Sequence, residues 1–417
     1  MSTIDRVVLL LGGKDATVKK AKALGLGVVL IQHPERMTAY QQALADCVLV
    51  DDYTQWPTAL RLTEEAFRRW RPEAIVSLTE AGLEPAARLC ELYEVPGTPL
   101  EVVTRLRDKQ RMREHLAAFP SLALPFGAVT DEASLRAFGE RAGHPFIVKP
   151  RNGAAGLGVM RVNGPEDTAE VWRRVRELDG SRSDRKSRMF TLDGFMMEAL
   201  VPGPEFSVET FSFAGRHVVV AVTEKTVSDT HFAELGHAVP ARVTEDVHAR
   251  IRATMSAFLD AMGLTDGPTH TEVRLGPDGP VVIESHNRIG GGCINELVHS
   301  AYGVDLASHA IGWPLRLVPE LPDRLTPIAA ACTLFVHRAP GVVTEVGGVE
   351  ALAERPEVLA AEISVRPGDR VRPLRDNWDR LGHLAVTAPD TDTALAHCAK
   401  LIEEELILRT RADEAVA

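Results

Sequence analysis

Two glutamates carry the most chemistry in this sequence: Glu272 in Thr-His-Thr-Glu-Val-Arg-Leu and Glu284 in Val-Val-Ile-Glu-Ser-His-Asn-Arg. Between them stands Gly-Pro-Asp-Gly, a turn signal separating two strand-like runs. The pair is therefore expected on adjacent antiparallel strands of one hairpin, on the same face. Two carboxylates side by side repel unless a cation lies between them. Mg²⁺, which takes one or two carboxylates plus phosphate oxygens, is the natural choice, with Mn²⁺ as an alternative. The competing reading is an edge hairpin with solvated acids, against which stands the apolar run Val281-Val282-Ile283 leading into Glu284. Arg288 follows Glu284 by four and shares its face if the strand stays regular. There it would balance charge developing on a transferring phosphoryl group. Gly290, Gly291 and Gly292 then offer a backbone cradle.

The lysines are the second signal. Only nine of the 47 basic residues are lysine, so the chain normally uses arginine. Lys109, Lys149 and Lys225 each sit at or near the end of a structured run, and any one alone reads as a solvated surface charge. Lys149 differs because Phe-Ile-Val-Lys-Pro stands four residues before Gly153-Ala154-Ala155-Gly156-Leu157-Gly158. A strand-borne cation beside backbone amides that glycine leaves accessible is a way to hold phosphate oxygens. Alone, the glycine run reads equally well as a hairpin turn. The earlier Gly12-Gly13-Lys14 is not a P-loop: no glycine stands five residues before Gly13, and Asp15 occupies the Ser/Thr place.

The elements that must position these groups change character along the chain. Residues 4–11, 27–32, 47–52 and 74–80 read as buried strands, alternating with helical stretches over 15–25, 56–70 and 82–93. That alternation predicts a doubly wound parallel α/β domain over 1–107. Its strand ends at Gly12-Gly13, Asp51-Asp52 and Thr79-Glu80 should face the ligand side. Glu80 either reaches that cleft or serves as a helix N-terminal acid. A second unit over 108–314 opens with a helix and a short strand. It continues through the polar loop 180–188, three strand-like runs and a helix over 244–262, and ends in the hairpin carrying the two glutamates. The last unit, 315–417, reads as a small α+β domain of short strands and a closing helix. Its composition leaves open whether it packs over the site or forms a homodimer face.

Composition narrows the partners. At 417 residues, two to four domains are expected, and 45% hydrophobic with 25% charged residues is globular. The formal charge of −11 argues against nucleic acid or an anionic membrane as the main partner, while leaving room for a small anion held locally. Five scattered cysteines without a Cys-x-x-Cys pair fit free thiols in a reducing compartment. The start MSTIDRVVLLLGG does not read as a signal peptide, and no apolar run approaches a membrane span, so a cytoplasmic protein is expected. Cys293 reads as a packed thiol, and His299 and His309 as ordinary helix residues.

Lysine on a strand, glycine loop, acid at 198, paired glutamates, arginine, glycines: in that order the motifs over about 105–300 resemble the ATP-grasp superfamily, whose usual N-terminal partner is an α/β domain. The resemblance implies that Lys109 and Lys149 contact ATP phosphates, with the loop of Gly156 and Gly158 closing over them. It implies that Glu198, Ala199 and Leu200 form the hinge against adenine, that Glu205 takes the ribose hydroxyls, and that Glu272 and Glu284 hold Mg²⁺. One departure stands out. The superfamily usually has Glu-x-Asn-x-Arg, whereas here His286 holds the asparagine place and Asn287 is one further on. Either His286 ligates metal or a local bulge turns Asn287 inward.

Glu-Lys-Thr (224–226) followed by Phe-Ala-Glu-Leu-Gly-His-Ala-Val-Pro-Ala (232–241) is similar to the L-amino acid ligases, which make dipeptides. That likeness implies that Glu234 binds a substrate ammonium and that His237 donates to acyl-phosphate oxygens; an exposed polar loop is the alternative. Arg288, Gly291 and Gly292 would face the amino-acid pocket, and the bare Gly292 would leave room for a larger first substrate. The expected activity is an ATP-dependent carboxylate–amine ligase working through an acyl phosphate, with the glycine loop and 180–188 as lids. Two other readings remain. One is a carboxylase or purine-pathway ATP-grasp enzyme, disfavoured by the lack of a further basic cluster and of a Met-Lys-Met biotin site. The other is a nucleotide-binding module without turnover.

Overall fold

The computed structural model describes residues 6–181, 191–228 and 232–412. The continuous apolar strands Val7–Leu11 and Gly27–Gln32, buried on both faces, form a four-stranded parallel sheet with Ala74–Val76 and the half-buried edge strand Cys47–Val50. Helices Trp56–Trp70 and Leu83–Leu92 cover one face and Asp15–Ala23 the other. Strand order reverses on either side of Val7–Leu11, which opens a crevice between its carboxyl end and that of Ala74–Val76. Gly12 turns the chain there with φ +70°, and a Cβ at that position would lie 2.2 Å from the Tyr53 hydroxyl. Gly13, Thr79 and Glu80 line the central cavity. Asp51 and Asp52 do not: their strand is the sheet edge, and Asp51 pairs with Arg61 at 2.6 Å.

A four-stranded antiparallel sheet (Phe126–Val129, Phe195–Ala199, Phe146–Pro150, Met160–Val162, in that spatial order) carries Lys149 and Glu198. The glutamate hairpin, Gly267–Gly276 and Gly279–His286, forms one end of an eight-stranded sheet. That sheet continues through Glu205–Phe213, Arg216–Val227 and Glu234–Val239 into Ala330–Val336, Gly382–Ala388 and Val358–Ile363. The C-terminal region therefore shares a sheet with the middle of the chain, because Glu234–Val239 pairs directly with Ala330–Val336. A three-stranded sheet and helix Thr391–Glu404 complete it. All five cysteines are free thiols, and among the described residues no helix is long and apolar enough to cross a membrane. Most of the loop 180–188 lies outside the described residues.

Candidate active site

The hairpin sets Glu272 directly opposite Glu284. Ile283 is an extra residue in its strand, since Glu272 faces Glu284 while Val273 faces Val282. The Ile283 carbonyl accepts from Arg113 Nη2 at 3.2 Å and Lys149 Nζ at 3.4 Å. Lys149 also donates to Glu198 Oε1 at 2.6 Å, and Arg113 Nε to Glu198 Oε2 at 2.8 Å. Glu198 is thus a buried carboxylate that anchors two cations behind a cavity lined by Lys109, Lys149 and the glycine loop. Lys109 opens helix Lys109–Leu116, which Asp108 caps. Its Nζ reaches Glu284 Oε2 at 3.1 Å and the Gly153 carbonyl at 3.2 Å. Gly153–Leu157, Glu198, Ala199, Leu200 and Glu205 line the same cavity as these lysines; Gly158 follows directly with φ +71°.

Lys225 was not singled out from sequence as a site residue, and it holds the centre of the site. Its Nζ touches Glu272 at 2.6 Å, Glu205 at 2.9 Å and Glu234 at 3.0 Å. Burial pushes its pKa down, but the three carboxylates more than offset this and hold it well above the usual lysine value. Glu272 is held above its usual range by burial and by the neighbouring Glu284, Glu205 and Glu234, with Lys225 opposing. Glu284 is held well below: burial raises it, and Lys109 and His286 more than compensate. Negative charge is therefore in surplus at Glu272, and these paired carboxylates fit a hard divalent cation that also takes phosphate oxygens. Among the described residues no group of three His, Cys, Asp or Glu side chains is poised to hold a metal by itself.

The two further metal candidates separate. His286 Nε2 lies 3.2 Å from Glu284 Oε1, and Nδ1 lies 2.9 Å from Glu80 Oε2. Burial pulls its pKa down, but Glu80 and Glu284 hold it above the ordinary histidine value. Asn287 follows the end of the strand and lines a different cavity with Ser77, Leu78 and Trp313. The bulge falls at Ile283, before Glu284, and does not turn Asn287 toward the carboxylates. His286 thus sits beside the carboxylate pair, and Asn287 faces another cavity. Arg288 lies past the regular strand, so it reaches the cavity by another route: Glu80 Oε2 accepts from its Nε at 2.8 Å. Glu80 also takes Arg107 at 3.0 Å. Burial raises its pKa, and His286, Arg288 and Arg107 together bring it well below the carboxylate range.

Glu234 and His237 are three apart, an odd spacing that would put them on opposite faces of a regular strand. Leu235 is an extra residue, because Val227 faces Glu234 while Thr226 faces Gly236, and this brings both side chains to one face. His237 Nε2 lies 3.5 Å from Glu234 Oε2 and has no hydrogen-bond partner. Glu234 is also held by Asn377 Nδ2 at 2.9 Å and Arg380 Nη1 at 3.1 Å. Gly291 leaves open space, whereas a Cβ at Gly292 (φ +57°) would come within 2.8 Å of His237 and 2.9 Å of Phe335. Gly292 therefore serves the seat of His237 as much as pocket width. Asn377, Arg380 and the buried Glu209–His270 pair (2.6 Å) were also not foreseen, and all but Glu209 line the cavity. Cys293 is a half-buried thiol that burial pushes up to about 11.

Parallel-sheet domain, paired glutamates, buried lysines and a glycine loop, in this arrangement, define an ATP-grasp protein. Family models agree in chain order: an ATP-grasp N-terminal domain over 18–97, an ATP-grasp domain over 142–296, and an L-amino acid ligase C-terminal domain 2 over 334–404. The chain thus carries the domain series of an ATP-grasp protein and is most like the L-amino acid ligases. An L-arginine-specific L-amino acid ligase of Bacillus subtilis is 22% identical over 368 residues, covering 88% of this chain and 87% of its own. An alanine–anticapsin ligase of Bacillus subtilis (strain 168) is 25% identical over 248 residues, 56% of this chain and 52% of its own. The chain thus matches about half the length of that relative. The crystal structure of an L-amino acid ligase from Bacillus licheniformis superposes with TM-score 0.81 at 23% identity, over 98% of this chain and all of the other.

Proposed function

We propose that the protein joins a carboxylate, an L-amino acid, to the amine of a second amino acid, consuming ATP and releasing ADP and phosphate. The supporting observation is a shared wall. The nucleotide-side cavity and a cavity of about 380 Å³ on the substrate side are both lined by Ala154, Ala155, Glu234, Glu272, Glu284 and Asn377. A phosphoryl group held at that wall lies within reach of both sides.

In this reading Lys109, Lys149 and the amides of the Gly153–Gly158 loop bind the phosphates, Glu198–Leu200 meets the adenine, and Glu205 meets the ribose. Glu272 and Glu284 would hold Mg²⁺, which when bound supplies neutralisation of phosphate charge, and Mn²⁺ suits the same oxygen ligands. Arg288, oriented by Glu80, balances charge as an oxygen of the substrate carboxylate bonds to the γ-phosphorus and the bond to ADP breaks. His237 donates to the acyl-phosphate oxygen and Glu234 holds the incoming ammonium. The amine nitrogen then bonds to the acyl carbon, the carbon–oxygen bond to phosphate breaks, and the nitrogen loses two protons overall. No protein nucleophile is needed, in keeping with the raised Cys293 thiol.

The test is phosphate release from Mg-ATP across a matrix of paired amino acids, with mass spectrometry of the products. Release that requires two partners, with a dipeptide mass, is expected. Tight ATP binding without release for any pair overturns the amino-acid reading.

A further inference from the structure

The glycine-rich loop is tied at two of its carbonyls by different regions of the chain. Lys109 Nζ donates to the Gly153 carbonyl at 3.2 Å, and the backbone N–H of Asn377 donates to the Ala155 carbonyl at 3.1 Å. Asn377 goes further. Its Oδ1 accepts from the Glu234 N–H at 2.8 Å, and its Nδ2 donates to Glu234 Oε2 at 2.9 Å. Three hydrogen bonds from one residue therefore join the loop on the nucleotide side to the carboxylate on the substrate side. Asn377 is 9% exposed, comes from the C-terminal region, and lines both cavities.

The segment around it is braced independently of the loop. Asp376 caps the short turn Asn377–Asp379 by accepting from Trp378 N–H. Arg380 Nε returns to the Asn377 carbonyl at 2.9 Å, and its guanidinium lies 3.7 Å from the Phe335 ring centroid. A braced residue that touches a loop and a binding carboxylate at once can transmit the position of one to the other.

We propose that Asn377 is a positioning residue that couples closure of the glycine loop to the state of the amino-acid site through Glu234. The inference rests on the ligase reading above. Hydrolysis of an acyl phosphate competes with its capture by an amine unless the closed loop excludes water. In that side reaction a water oxygen bonds to the acyl carbon, the bond to phosphate breaks, and carboxylate and phosphate leave with the water's protons. Loosening Asn377 should therefore spend ATP without making amide.

Two variants grade the effect. Asn377→Ala removes the side-chain bonds and keeps the N–H. Asn377→Pro removes all three bonds, at the first residue of a helical turn where proline is tolerated, after an extended Asp376 (φ −153°, ψ 178°). Phosphate released per amide should rise roughly tenfold in Asn377→Ala and further in Asn377→Pro. Hydrogen exchange of the 153–158 amides, measured with a β,γ-imido ATP analogue and amino acid, should rise in the same order while the melting temperature of Asn377→Ala stays near wild type. An unchanged ratio in Asn377→Ala overturns the proposal, as does a raised ratio with unchanged loop exchange. If the wild type makes no amide from any pair, the ligase reading falls. The exchange measurement needs no turnover, and still decides whether Asn377 holds the loop.

Discussion

The two sides of the shared wall are built differently. On the nucleotide side the ion pairs, Lys109 with Glu284 included, stay within the middle region of the chain. Lys149 and Glu198 are 49 residues apart, and Lys225 and Glu272 are 47 apart. On the substrate side they span the chain: 208 residues separate Arg288 from Glu80, and 146 separate Arg380 from Glu234. The groups proposed to hold phosphate thus all belong to the middle of the chain. The substrate side exists only once the N-terminal domain, the central sheet and the C-terminal region have come together. Substrate preference can then change by altering the outer two regions without disturbing the lysines.

The sharpest test of that contrast is Glu284, one of the residues belonging to both sides. Glu284→Gln removes a charge that Lys109 and His286 both use, and should lower phosphate release roughly 10³-fold while the fold is kept. A fully active variant would remove Glu284 from the reacting centre and with it the shared wall. A one-sided perturbation comes next. Glu80→Gln takes the anchoring charge from Arg288, His286 and Arg107, so turnover should fall roughly 10²-fold through misplacement of Arg288. Affinity for a non-hydrolysable ATP analogue, measured by calorimetry, should hold. Loss of nucleotide affinity as large as the loss of turnover would break the division into two sides.

The same division explains what could be read from the amino-acid sequence. The doubly wound sheet was legible because buried parallel strands are continuous apolar runs, and the hairpin because Gly-Pro-Asp-Gly separates two alternating runs. Lys149 and the paired glutamates are local motifs, so they too were visible. Lys225 left a faint signal, a rare lysine on a strand among arginines. Asn377 and Arg380 left none, since their roles come from packing against residues more than 140 positions away. Two bulges decided details that spacing could not. Leu235 brings Glu234 and His237 onto one face, and Ile283 sets Glu284 rather than itself opposite Glu272. An extra residue in a ladder reverses every face assignment beyond it, and nothing in its side chain announces it.

A stability measurement probes the nucleotide side without chemistry. Glu198 is buried against Arg113 and Lys149. Burial pushes its pKa up, and those two cations more than offset this, holding it below the usual carboxylate range. In the unfolded chain a glutamate titrates near about pH 4.3. A depressed folded pKa means that the stabilisation is present above that pH and is lost as pH falls through the folded value. Glu198→Gln should therefore cost roughly 3 kcal/mol near neutrality, because two buried cations lose their shared counter-charge. In urea titrations at falling pH the gap between wild type and variant should narrow below about pH 4, where the wild type approaches the same neutral state. The other carboxylates protonate in both proteins, so the difference between them isolates Glu198. A gap that stays constant down to acid pH would mean that the anchor works by shape and hydrogen bonding alone, and that the lysine on the nucleotide side is held without a charge behind it.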